Sequence, residues 1–269
     1  MSLPLLAIFL ALGTFVGFLA GLLGVGGGFT IVPVLLEVFL REGVARENIL
    51  PMAIGTSAAT IVFTAFSSAR AHHARGAIHW PALRALAPGL VVGSLIGPQI
   101  ASALSPSVMT IIFGGFTCFA ALRMLAHRPE AVATRELPGK TAMVGVGVLI
   151  GMISGLVGVG GAFMVVPFLT RSNVPLHSAV ATSAGVGVAV SVAATTGYIL
   201  AGMRATHLPP WSVGYVYLPA LAAIVVTSTL LAPVGARVAH AWPVARLRVA
   251  FVGMLFVLAA YMFWKATHL

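Results

Sequence analysis

No aspartate occurs anywhere in the 269 residues, and the only acids are Glu37, Glu42, Glu47, Glu130 and Glu136. A carboxylate-built sodium site or a paired-carboxylate acid–base centre therefore has little to draw on. Cysteine is as scarce. Cys118 stands alone, which excludes an intrachain disulfide and a thiolate metal cluster, and inside an apolar run it reads as a small core or lipid-facing hydrophobe. Charge of either sign is sparse too, at 7% of residues, against about 25% in soluble domains. The eight histidines lie near the ends of apolar runs, with no His-Glu-x-x-His and no Gly-x-Ser-x-Gly anywhere. An intramembrane enzyme thus lacks its nucleophile, base and metal ligands, and no cofactor is expected.

What fills the chain instead is apolar: 59% hydrophobic residues and a mean hydropathy of +1.07. This is the composition of an integral membrane protein, and eight or more spans of about 20 residues each leave no room for a separate soluble domain. The net charge of +10 comes from 15 Lys and Arg. These are scattered in short loops between apolar runs, which points to lipid headgroups and membrane topology rather than to nucleic acid. The N-terminus has no basic stretch and no clear small-residue cleavage site, so residues 4–23 are expected to be a retained span.

The organising feature is a repeat. Residues 17–35, GFLAGLLGVGGGFTIVPVL, match residues 151–169, GMISGLVGVGGAFMVVPFL, at 11 of 19 positions with an offset of 134. A second pair, Ala53-Ile54-Gly55-Thr56-Ser57-Ala58 and Ala179-Val180-Ala181-Thr182-Ser183-Ala184, follows at an offset of 126. The chain is therefore read as a first transmembrane repeat over 1–126, a polar linker over 127–140 and a second repeat over 141–269. Apolar segments fall at 4–23, 28–40, 51–69, 82–104, 106–126, 141–158, 162–170, 177–201, 208–232 and 244–264. All are expected to be helical, giving an all-α polytopic fold of two repeated halves. A glycine run costs a helix about 1 kcal/mol per residue relative to alanine, and backbone freed inside hydrocarbon must be buried in protein or line a wet cavity. Two such interruptions at matching places are the best sequence pointer to a transporter's binding site.

Whether the chain continues or reverses at the glycines decides the topology. With the linker inside, reversal puts 11 Lys and Arg inside and four outside (Arg41, Arg46, Arg204 and Lys265), whereas continuation gives nine and six. The positive-inside rule favours reversal and hence inverted repeats. Trp80, Trp211, Trp242 and Trp264 all sit near segment ends, as an interfacial aromatic belt does.

The paired glycine knots, the Gly-Thr-Ser-Ala and Ala-Thr-Ser-Ala steps and the two-half layout together resemble the TauE/SafE sulfite exporter family of membrane permeases, from about residue 8 to 264. The resemblance implies a secondary transporter of small anions, chiefly sulfite, sulfonates and related organosulfur acids, in the cytoplasmic (inner) membrane of a bacterium.

Within that frame the candidate substrate-binding residues are as follows. Gly24, Gly26, Gly27 and Gly28, with Gly158, Gly160 and Gly161, would break helices so that N–H groups and a positive dipole end face an anion. The alternative is close helix packing. Ala162 replaces the third glycine in the second copy, which makes the two half-sites unequal if only glycine permits the approach. Thr56, Ser57, Thr182 and Ser183 offer hydroxyls near helix starts, either to cap N–H groups or to donate to sulfonate oxygens. Arg70, in a cluster with His72, His73 and Arg75, would begin an anion funnel by virtue of its bidentate fork, or else is a cytoplasmic flank. Gln99 would bond substrate or tie helices. Glu37 is the one acid inside an apolar run, where it would carry a coupling proton or pair with Arg41 at i,i+4. The reading is a carrier working by alternating access around the knots and the Thr-Ser steps. An anion channel is the alternative, and an intramembrane enzyme is a distant third. Its expected partners are a small anion, membrane lipid and a coupling proton or sodium ion, with no nucleic acid, and a homodimer is compatible with it.

Overall fold

A computed structural model of the chain describes residues 3–23, 27–126, 137–241 and 244–268. The apolar runs become helices α1 (Leu3–Leu23), α2 (Gly28–Arg41), α3 (Arg46–Ala74), α4 (Trp80–Ala103) and α5 (Pro106–Leu125) in the first half. The second half supplies α6 (Lys140–Val157), α7 (Ala162–Arg171), α8 (Leu176–Gly202), α9 (Leu218–Ala241) and α10 (Val244–Ala266). Six of these contain segments long and apolar enough to cross a membrane: α3, α4, α5, α6, α8 and α10. The all-α polytopic class follows directly.

One expected helix is cut short. The run 208–232 starts its helix only at Leu218, because Pro209 and Pro210 have no N–H to give a helix. A two-stranded hairpin, β1 (Ser212–Val213) and β2 (Val216–Tyr217), precedes it. The hairpin turns at Gly214, whose φ of +55° and close approach to the Ile199 backbone leave no room for a side chain.

The halves interleave. Gly89, Gly93 and Gly97 of α4 press on the α6 backbone between Val144 and Leu156, while Gly147, Gly151 and Gly155 of α6 press back on Leu86, Leu90 and Ser94. The registers rise together, so α4 and α6 run parallel in a small-xxx-small seam, closed by the Ser94 hydroxyl donating to the Gly151 carbonyl at 3.1 Å. Gly13 and Gly17 of α1 dock in the same way against Ile224 and Ser228 of α9. The first helix of each half thus packs on the fourth helix of the other. At the centre α3 and α8 run antiparallel, with Gly55 against Tyr198 and Gly187 against Ala65, and α5 packs on α10.

Each short helix runs back towards the start of the helix before it. The end of α2 returns to the start of α1, since Val38 and Phe39 line one cavity with Leu5 and Phe9. After α7, the start of α8 lies beside the start of α4, where the Ser178 hydroxyl donates to the Ala77 carbonyl at 2.9 Å. That is the level at which α6, parallel to α4, begins. Reversal sorts the described cations onto two faces: Arg70, Arg75, Arg84, Arg123, Lys140 and Arg171 on one, and Arg41, Arg46, Arg204 and Lys265 on the other. Arg128, Arg135 and Trp242, and the side chains of Arg237, Arg246 and Arg248, lie outside the described residues, as does most of the linker.

Candidate functional site

The two knots meet in the interior. Helix α6 stops because Gly158 adopts φ +72°, with its N–H and that of Val159 both donating to the Ser154 carbonyl at 2.8 and 3.3 Å. Gly161, at φ +69°, then opens α7. Both are conformations that L side chains rarely take. On the other side Gly28 starts α2, and a Cβ there would stand 2.6 Å from the Gly158 carbonyl oxygen, 3.2 Å from Ile61 and 3.4 Å from the Ser57 hydroxyl. Phe29 and Phe163, the second residues of α2 and α7, complete the contact with rings edge to face at 5.2 Å. Two helix N-termini therefore converge on one buried point, each presenting its unpaired N–H groups and positive dipole end. Gly24 and Gly26 lie outside the described residues.

The glycines are not equivalent. Side chains at Gly27 and Gly158 would overlap Val16 and Ile54, whereas a Cβ at Gly160 makes an ordinary 3.4 Å contact with Ile61. Beside the α7 tip lies a cavity of about 10 Å³ lined by Ser154, Gly158, Gly160, Ser191, Ala58 and Ile61 among others, the room of roughly one water. Two hydroxyls at this point have no hydrogen-bond partner: Ser57, wholly buried, and Ser154, 1% exposed. Ser154 stands 3.2 Å from where a Cβ of Gly161 would be. Sequence reasoning missed it. The one signal was a hydroxyl four residues before Gly158 in an otherwise apolar helix, at the position that Ala20 holds in the first repeat.

The remaining sequence candidates have other surroundings. The Thr-Ser steps sit well inside their helices, since α3 begins at Arg46 and α8 at Leu176, so they do not cap their own N-termini. The Thr56 hydroxyl accepts the N–H of Tyr217, just before α9, at 3.0 Å. The Thr182 hydroxyl accepts the N–H of His79, just before α4, at 2.9 Å. Each threonine thus satisfies an N–H at the start of a helix belonging to the other half. Ser183 donates to the Val180 carbonyl at 2.7 Å. Because Gly55 faces Tyr198 and Gly187 faces Ala65, Ser57 and Ser183 are about 18 Å apart along the helix pair, so the structure does not bring the two steps together. Gln99 ties α4 to α8 through the Gly197 carbonyl at 3.0 Å. Arg70 is exposed near the end of α3, about 20 Å along the helix from Ser57.

Glu37 has the i,i+4 pair with Arg41, at 3.2 Å, and more. Lys265 Nζ and the Tyr261 hydroxyl of α10 each donate to its other oxygen at 2.9 Å. On the same face a cavity of about 530 Å³ opens between Phe9, Phe39, Glu42, His207, Trp211 and Tyr217. Burial, and then the charge of Glu42, push the Tyr217 phenol above its ordinary pKa. Glu42 is part of its lining, and a carboxylate there opposes an anion. Among the described residues no three His, Cys or acidic side chains gather to hold a metal.

Comparison with known proteins agrees with this architecture. The profile of the family described as Sulfite exporter TauE/SafE matches residues 9–262. A probable membrane transporter protein of Haemophilus influenzae is 36% identical over 95% of this chain and 97% of its own. One of Methanocaldococcus jannaschii is 26% identical over 96% and 95%, and one of Xylella fastidiosa 31% identical over 68% and 70%. No solved structure matches the chain.

Proposed function

Since the chain belongs to the TauE/SafE sulfite exporter family and is a multi-pass membrane transporter, we propose that it is a secondary carrier of a small anion, sulfite or an organosulfonate, in the cytoplasmic membrane of a bacterium. The observation that carries the reading is the convergence of the α2 and α7 N-termini at Gly28 and Gly158. Helix N-termini bind anions through free N–H groups and the macrodipole, and discontinuous helices supply such ends at the substrate sites of transporters.

The halves act as inverted repeats that rock about this point. Supporting this are the antiparallel pairing of α3 with α8, which carry the equivalent Thr-Ser steps, and the exchange of first and fourth helices between halves. The cavity beside the α2 and α7 tips has room for about one water, so the tips must move for an anion to pass, which supports a carrier. Flux of labelled sulfite, methanesulfonate, acetate and chloride in proteoliposomes tests the reading. Saturable flux of a sulfur oxyanion competed by its analogues is expected, while unsaturable flux of all four would make it a channel, and no flux would remove the carrier reading.

A further inference from the structure

Two features of the meeting point remain beside its glycines: the unpartnered hydroxyls and the lack of charge. Ser57 and Ser154 are buried with no acceptor for their protons, which a folded interior tolerates rarely. Ser57 of α3 stands beside Gly28 at the α2 tip, and Ser154 of α6 stands beside Gly161 at the α7 tip. The third hydroxyl nearby, Ser191, donates to the Val188 carbonyl at 3.2 Å and is spoken for. None of the side chains lining the cavity is charged or titratable.

On the carrier reading above, we propose that Ser57 and Ser154 donate hydrogen bonds to one oxyanion group lodged between the α2 and α7 tips, and that the site takes this group as a monoanion. Each helix N-terminus offers about half an elementary positive charge and the carbonyl end of α6 at Gly158 opposes it, so the two N-termini together compensate at most about one negative charge. A sulfonate or bisulfite meets that condition. A dianion such as sulfate or fully ionised sulfite brings a second charge into a low-dielectric interior with nothing to balance it. The hydroxyls add specificity, because a donor-only lining rewards a ligand group that only accepts. Since the cavity holds about one water, loading requires the tips to separate, and the contact between Gly28 and the Gly158 carbonyl is what gives way.

The test uses the full chain in proteoliposomes and follows uptake of labelled methanesulfonate, with unlabelled methanesulfonate, sulfite and sulfate as competitors on the acid and alkaline sides of neutrality. Methanesulfonate, a monoanion throughout, should compete equally at both pH values. Sulfite should compete better on the acid side, where it takes up a proton, and sulfate should not compete. With no titratable group in the lining, this pH dependence belongs to the ligand. Ser154→Ala and Ser57→Ala should each weaken methanesulfonate about tenfold, the lower end of a hydrogen bond to a charged group. Ser212→Ala, which removes an unpartnered hydroxyl in the hairpin, should leave it unchanged. Sulfate competing as well as methanesulfonate would overturn the monoanion assignment, and unaltered competition in both serine variants would overturn the donor assignment, each leaving the carrier intact. Absence of saturable uptake by the unaltered chain would overturn the carrier reading and this proposal with it. Should a serine variant not survive purification, the charge and pH series on the unaltered chain decides.

Discussion

Gly28→Ala is the sharpest perturbation of the meeting point, because two opposing effects can be weighed there. Alanine improves the helix propensity of α2 by about 1 kcal/mol at most, and less at its first position. Against this, the new methyl would sit 2.6 Å from the Gly158 carbonyl oxygen and 3.2 Å from Ile61. Ile61 can swing aside, but Gly158 cannot. Its backbone is fixed at φ +72° with its N–H bonded to Ser154, and its own approach to Ile54 blocks retreat. The tips must therefore part by a few tenths of an ångström or more, an overpacking cost of about 1–3 kcal/mol. Overpacking wins, and it falls on the conformation in which the tips touch. A shift of that size changes the occupancy of a two-state equilibrium by about five- to 150-fold. We expect methanesulfonate uptake by Gly28→Ala to fall by about five- to 150-fold, with the thermal midpoint of the purified protein lowered only slightly. Gly160→Ala, facing an ordinary 3.4 Å contact, should keep most of its activity. Uptake at the unaltered rate in Gly28→Ala, or equal damage from Gly160→Ala, would refute the tip-contact reasoning.

The other expectations are more direct. Thr56→Val and Thr182→Val keep shape but strand the N–H groups of Tyr217 and His79; each should cost about 1–3 kcal/mol, read as a lowered unfolding midpoint in detergent. Because the two sites are far apart, the double variant should show the sum of the two losses. Glu37→Gln removes the charge that holds Lys265, whose side chain is 16% exposed, and Arg41; about 1–2 kcal/mol of stability should go with it, and Lys265→Met in the same chain should restore part of it. In a Cys118→Ser background, cysteine placed at Arg204 should react with an impermeant maleimide added outside intact cells, and cysteine at Arg75 should not. The reverse pattern would invert the membrane orientation.

Much of the fold was legible because the repeat is written in glycines, and glycine positions are dictated by backbone geometry. The offset of 134 located both helix breaks. The hairpin before α9 was not legible from hydropathy, since Val213, Val216 and Tyr217 read as apolar helix, although Pro209 and Pro210 announced the interruption. The role of the Thr-Ser steps was hidden for a different reason. A motif repeated in both halves suggests a shared site, yet α3 and α8 run antiparallel, so equal positions in the two halves lie at different depths. Thr56 and Thr182 therefore became equivalent stitches at two places instead of one site. Ser154 escaped notice because it has no counterpart, Ala20 standing at its repeat position.

The distribution of glycine work explains how one fold can be both rigid and mobile. In the α4–α6 and α1–α9 seams, glycines set against backbone atoms lock each half's first helix to the fourth of the other, and backbone packed this closely has no easy way to slide. The knots use glycine differently. Helix α7 buries only Val165 and Leu169 along its ten residues, and its second residue, Phe163, meets Phe29 of α2 edge to face. Few buried contacts mark the segments that open at low free-energy cost. On the carrier proposal the interlocked seams are the frame and α7, the sparsely buried short helix, is the part that moves.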